Sequence, residues 1–190
     1  GTRFEYIFPA LEGGHAIYYS IFDSHVQGWT ENLIYNTASG APDNQFSFTV
    51  LGDSRSYPAE WQAISEATLD TDFTLFMGDI VNDGKVASDW QDWFDYGEVF
   101  VGRELIYHCV GNHDDDNSAS GFDNFIGLYT LPGNELYYSF IYGNAVYICL
   151  NTEEASNAEQ YNWLLSTLDT HKNKTWKIVF FHKPFYTAPS

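Results

Sequence analysis

Basic side chains are scarce in this sequence: 8 Lys and Arg face 26 Asp and Glu, a formal net charge of −18. A field of that sign repels nucleic acids and anionic membrane surfaces, so nonspecific binding to either is disfavoured. A phosphate-bearing substrate would need metal ions to offset the field locally. Cysteine is nearly missing as well. Cys109 and Cys149 each sit inside a strand-like apolar run without C-x-x-C spacing. They read as small buried hydrophobes or as one disulfide between adjacent strands, not as a zinc ribbon or a disulfide scaffold. No apolar run approaches the roughly 20 residues that cross a bilayer, so no membrane span is expected. No signal peptide is visible, and the chain opens at Gly1 in strand-like sequence, which reads as a processed or truncated start.

Apolar and aromatic residues, by contrast, are plentiful. At 44% hydrophobic and 18% aromatic the chain is no disordered tail, and 190 residues suffice for one soluble globular domain with a sizeable core plus part of another. The low lysine content, the many Asn, Tyr and Trp, and an Asn173-Lys174-Thr175 sequon fit a secreted or cell-surface protein.

Three apolar runs end in the same kind of acidic phrase. Phe46 to Leu51 is followed by Gly52-Asp53, Phe73 to Met77 by Gly78-Asp79, and Leu105 to Val110 by Gly111-Asn112-His113-Asp114. Each run is a buried-strand candidate, and each glycine lets the chain turn sharply before a polar ligand. Trp176 to Phe181 is a fourth such run, ending at His182. Ligands at the carboxyl ends of neighbouring strands converge on one crevice.

The spacing predicts helices over Pro58 to Leu69, with Trp61, Ile64 and Leu69 on the apolar side, and over Val86 to Val101, with Trp90, Trp93, Phe94 and Phe100 as packing residues. A third helix is expected from the capping-box spacing of Ser156-Asn157-Ala158-Glu159. Gly143-Asn144 marks a hairpin between Leu136 to Tyr142 and Ala145 to Leu150. Near the start, Arg3 to Phe8 and His15 to Phe22 read as two strands joined through Pro9 to Gly14, and residues 36 to 45 as a linker. Strands alternating with helices from residue 45 onward argue for an α/β layout. On strand Leu105 to Val110, His108 faces away from Tyr107 and Cys109 and is read as a packed histidine; Asp114, Asp115 and Asp116 are read as a solvated loop in which only Asp114 is a functional candidate.

Asp53, Asp79, Asn112 and His182 thus stand at corresponding ends of four core strands. Carboxylates, an amide oxygen and an imidazole form a donor set suited to Fe, Mn or Zn. One aspartate can bridge two such ions, and ions roughly 3.5–4 Å apart can activate a water and stabilise an in-line phosphoryl displacement without a serine or cysteine nucleophile.

Four ordered phrases, Gly52-Asp53-Ser54-Arg55, Gly78-Asp79-Ile80-Val81-Asn82-Asp83-Gly84, Gly111-Asn112-His113-Asp114 and Val179-Phe180-Phe181-His182, resemble those of calcineurin-like metallophosphoesterases, most of all the branch that includes purple acid phosphatases. The resemblance covers about residues 45 to 190 and implies a β-sandwich flanked by helices (αββα), truncated at its C-terminal part. Residues 1 to about 40 look like the end of a fibronectin-III-like domain, so 1–40 and 41–190 are expected to be the tail of one domain and the enzyme portion of another. The resemblance also implies that Asp53 binds the first of two metal ions, that Asp79 bridges, and that Asn112 and His182 bind the second. It makes His113 the group that steadies the phosphate or protonates the leaving oxygen, oriented by Asp114.

Two departures from the family pattern bear on activity. Related enzymes give the first metal either a histidine two residues after the first aspartate or a tyrosine three residues after the second; here Arg55 and Asn82 stand in those places. Asn82 is therefore only a substitute candidate ligand, no tyrosinate-to-iron colour is expected, and Arg55 is read as a bidentate clamp for substrate phosphate. The family's final Gly-His-x-His motif would lie beyond His182, but the chain ends at Ser190. The segment alone is therefore expected to be inactive, with a sheet edge to be covered by a downstream segment or a partner chain. Metal-dependent hydrolysis of a phosphate-ester small molecule is the leading expectation. A non-catalytic extracellular binding or assembly module on the same fold is the alternative.

Overall fold

The computed structural model describes residues 15–23, 27–30, 33–37, 45–67 and 71–186. Near the start, β1 (Ala16–Tyr19) pairs antiparallel with β4 (Leu33–Asn36), and β2 (Phe22–Asp23) with β3 (Gly28–Trp29). The single strand expected over His15 to Phe22 is thus interrupted after Tyr19. The expected strand Arg3 to Phe8, its turn and most of the linker lie outside the described residues.

Next, β5 (Phe48–Leu51), β6 (Phe73–Phe76) and β7 (Ile106–His108) form a parallel sheet in that order. The crossovers carry α1 (Pro58–Ala67), and α2 (Ala87–Tyr96) with α3 (Glu98–Val101). After α4 (Asp123–Leu128), β8 (Tyr138–Tyr142) turns through Gly143, at φ 56°, into antiparallel β9 (Ala145–Cys149). A left-handed first turn residue is what a tight hairpin requires, and glycine meets it without a steric penalty. Helix α5 (Ala158–Thr170) then returns the chain to β10 (Trp176–Phe180), parallel to β9.

Side-chain alternation stacks these pieces into four layers. Phe73 and Leu75 of β6 meet Tyr138 and Tyr142 of β8 and Tyr147 and Cys149 of β9 in the core between the sheets. The opposite face of the first sheet, through Phe76 and Val110, packs on Trp61, Trp90, Trp93, Phe100 and Phe125 from the helices. The opposite face of the second, Val146, Ile148 and Leu150, packs on Trp163, Leu164 and Leu168 of α5. Central strands covered on both faces read as continuous apolar runs, and β6 and β9 are buried at every residue. This is the expected αββα sandwich.

Several local expectations need adjusting. The helix over Val86 to Val101 breaks at Gly97, where a Cβ would lie 2.7 Å from both Trp61 Nε1 and Trp93 O. The bare glycine lets the Trp61 indole reach the Trp93 carbonyl with a 2.9 Å hydrogen bond. Ile64 is exposed, and Leu69 lies outside the described residues. Asn157, not Ser156, caps α5, accepting from the amides of Glu159 and Gln160. Cys109 and Cys149 are both free and buried, so the disulfide alternative falls away. His108 is packed as expected, its ring 4.2 Å from that of Tyr129 and 5.4 Å from that of Phe76.

Candidate metal centre

Both aspartates that end β5 and β6 adopt left-handed backbone, φ 54° at Asp53 and 52° at Asp79. Aspartate tolerates this conformation better than most residues do, and here it turns the chain at the strand end so that the carboxylate faces the crevice. The loops are locked together: Asp53 N donates to Gly78 O at 3.0 Å, and His113 N donates to Asp79 Oδ1 at 3.0 Å. Gly111 permits that approach, because a Cβ there would collide with the Asp79 amide and carboxylate.

Asp79 is the centre of the cluster and only 2% exposed, while Asp53 is 63% exposed at its side chain. One ligand atom each from Asp53, Asp79 and His182 lie within 4.8 Å of one another. His182 Nδ1 is 2.7 Å from the carbonyl oxygen of Met77, and its Nε2 is 3.2 Å from Asp79 Oδ1. A carbonyl only accepts, so Nδ1 carries the hydrogen, which leaves Nε2 as the nitrogen facing a carboxylate oxygen. Without a hydrogen on Nε2, two acceptors face each other there. A cation between them, or a proton on Nε2, resolves the clash, and a histidine fixed through its other nitrogen to a carbonyl is the usual geometry of a metal ligand. The donor set fits a borderline divalent ion.

On the other side of Asp79, Arg55 Nε lies 2.7 Å from Oδ2 and 3.9 Å from Asp53 Oδ1. Its Nε–H makes no aligned hydrogen bond despite the close ion pair. Arg55 also lines a cavity of about 300 Å³ together with Ser54, Ser56, Asn82, Asp89 and Trp93. Asn82 takes a different part from the ligand role considered for it: its carbonyl oxygen accepts from His113 Nδ1 at 2.7 Å and its side-chain oxygen from Ser56 Oγ at 2.7 Å. Asn112 is exposed beside the cluster, and its side chain makes no hydrogen bond among the described residues.

Asp114 does not sit in a solvated loop, and its side chain bonds to backbone amides of the two loops rather than to the His113 ring. It is fully buried; Oδ1 accepts from the amides of Ile80 and Val81, at 2.8 and 3.2 Å, and Oδ2 from that of Gly111 at 2.8 Å. Burial pushes its carboxyl up to about 7, against the pull of those amides and with Asp79 adding to the rise. Its part is to tie the loop after β6 to the loop after β7, and so to position Asp79 and His113. Sequence reading also passed over Met77, whose contribution is a backbone carbonyl that no residue pattern marks. It passed over Asp89 too, and gave Trp93 a packing part alone, although their spacing on α2 puts them on one helix face.

A family profile of calcineurin-like phosphoesterases matches residues 46–190. The chain belongs to that family. Among solved structures, the chain is similar in fold to purple acid phosphatase PPD1 from yellow lupin seeds, with a TM-score of 0.66 at 14% identity over 80% of this chain and 33% of that one. It is likewise similar to PhoD, with a TM-score of 0.66 at 14% identity over 89% of this chain and 47% of that one. The chain therefore spans about a third and about half of the length of these two proteins. No curated protein sequence matches it. The family match begins at residue 46, and the fibronectin-III-like reading of residues 1–40 stays an expectation. Among the described residues no helix is long and apolar enough to cross a membrane.

Proposed function

We propose that this phosphoesterase hydrolyses small phosphate esters with a metal-activated water. The observation that carries the reading is the His182 imidazole, fixed by Met77 with its Nε2 aimed at Asp79 Oδ1. Asp79, His182 and Asp53 would hold a divalent ion of the Fe, Mn or Zn type, with the exposed amide of Asn112 as a further oxygen donor. Such an ion supplies a Lewis acid for the phosphoryl oxygens and a water of lowered pKa as nucleophile. The motifs imply two ions bridged by Asp79; the donor geometry supports the one on the His182 side.

His113 is held by its Nδ1–H to the Asn82 carbonyl and by its amide to Asp79. That leaves Nε2 to deliver a proton to the leaving alkoxide. The Nη groups of Arg55 complete the site, matching two phosphoryl oxygens in a fork. Hydrolysis of p-nitrophenyl phosphate by a longer parent chain that supplies a downstream Gly-His-x-His tests the reading: activity should disappear with a chelator and return with added Mn²⁺ or Zn²⁺. Stoichiometric metal without turnover of aryl mono- or diesters would instead favour the non-catalytic binding module.

A further inference from the structure

We infer that Arg55 takes the place of one of the two cations of a dinuclear phosphoesterase centre, so that the site binds a single divalent ion and uses the guanidinium as its other positive charge. This rests on the metal-dependent reading of the same site. The two oxygens of Asp79 are divided between two kinds of partner. Oδ1 faces His182 Nε2 at 3.2 Å and receives the His113 amide at 3.0 Å, while Oδ2 is 2.7 Å from Arg55 Nε. The same Nε is 3.9 Å from Asp53 Oδ1. A group that bridges Asp53 and the outer oxygen of Asp79 stands where the first metal of the expected pair would have to stand.

Charge and chemistry both follow from that position. The two carboxylates supply two negative charges and Arg55 returns one of them; a single dication then leaves the centre at plus one, whereas two would leave it at plus three. Guanidinium keeps its charge at any physiological pH and cannot withdraw by losing a proton, so a second dication would enter against direct repulsion in a site where Asp79 is 2% exposed. Nor can guanidinium do all that a metal does. It hydrogen-bonds phosphoryl oxygens but does not lower the pKa of a water, so the ion on the His182 side must serve the nucleophile and Arg55 the developing phosphoryl charge. The cavity of about 300 Å³ that Arg55 lines leaves its Nη groups room to receive those oxygens.

The test is ion stoichiometry. The purified protein, saturated with Mn²⁺ and freed of excess by desalting, should carry one Mn per chain by elemental analysis and give the EPR spectrum of an isolated Mn²⁺. Arg55→Gln should admit a second, weaker Mn²⁺ with the spectrum of an exchange-coupled pair, because the carboxylates then regain their full charge. Arg55→Lys should stay at one. Two coupled ions in the unaltered protein would overturn the inference whatever the variants do. One ion in an Arg55→Gln protein that still fills its first site at millimolar Mn²⁺ would overturn it too. Failure to bind any Mn²⁺ or Zn²⁺ would instead sink the metal-dependent reading on which it rests.

Discussion

His182 Nε2 lies 3.2 Å from Asp79 Oδ1, a contact between the two sheets of the sandwich. Asp79 follows β6 in the first sheet and His182 follows β10 in the second. The centre therefore exists only when the sheets are packed face to face. Removing either side chain should abolish it. His182→Ala and Asp79→Asn are each expected to weaken Zn²⁺ or Mn²⁺ binding by at least about 100-fold, since even outer-sphere partners of metal ligands commonly contribute 10- to 100-fold. Asp53→Asn, at an exposed ligand, should cost less. Competition titration with a chromogenic chelator reads all three, and equal losses at Asp53 and Asp79 would contradict the central position of Asp79.

His113, proposed above as the proton donor, meets the cluster through its backbone amide, which donates to Asp79 Oδ1. In a longer parent chain that is active, His113→Ala should leave metal content unchanged and lower kcat toward an alkyl phosphate by about 10²–10⁴-fold. The loss should be smaller with an aryl phosphate, whose leaving group needs less protonation. Elemental analysis alongside kinetics separates this from a ligand role.

Gly111 and Gly127 should respond oppositely to alanine. A Cβ at Gly111 meets the Asp79 amide and carboxylate, whereas one at Gly127, in α4, meets nothing within 4 Å. Gly111→Ala is expected to destabilise the fold by about 1–3 kcal/mol and to impair metal binding. Gly127→Ala should stabilise by about 0.5–1 kcal/mol through helix propensity alone. Urea denaturation monitored by tryptophan fluorescence provides both numbers.

His108 should make the fold acid-sensitive. Burial among aromatic rings pushes its imidazole from 6.5 down to about 3, so between those values the unfolded chain binds a proton that the folded one does not. Stability contributed by the neutral ring is complete above about pH 6.5 and is lost as pH falls toward 3, with a slope of about 1.4 kcal/mol per pH unit from this group. Its Nδ1 is buried without a hydrogen-bond partner. His108→Phe should therefore flatten that slope and, by deleting an unsatisfied polar atom, stabilise at pH 7 by about 1–2 kcal/mol. Urea midpoints at pH 5 and pH 7.5 for both proteins check the difference.

The order of strands was legible because the cues are local. A run such as Phe73-Thr74-Leu75-Phe76 alternates its side chains between two faces whatever surrounds it, and Gly78-Asp79 supplies the left-handed turn that ends it. The aromatic residues of α1 and α2 marked their buried faces for the same reason. Local cues failed where the neighbour in space was remote in sequence. Asp114 looked like part of an acidic surface run because Asp115 and Asp116 follow it, yet the amides of Ile80 and Val81 draw it into the interior.

Sequence alone thus determined the family, the four strand ends and the residue types that could bind a metal, since these depend on side-chain identity and on backbone preferences within a few residues. Only the tertiary structure decided how those groups divide the work. The Met77 carbonyl orients His182, and the two oxygens of Asp79 are shared between His182 and Arg55. Those assignments turn on distances of about 3 Å between segments on different strands and sheets, set by how the aromatic core packs the layers together, and no pattern along one segment encodes them.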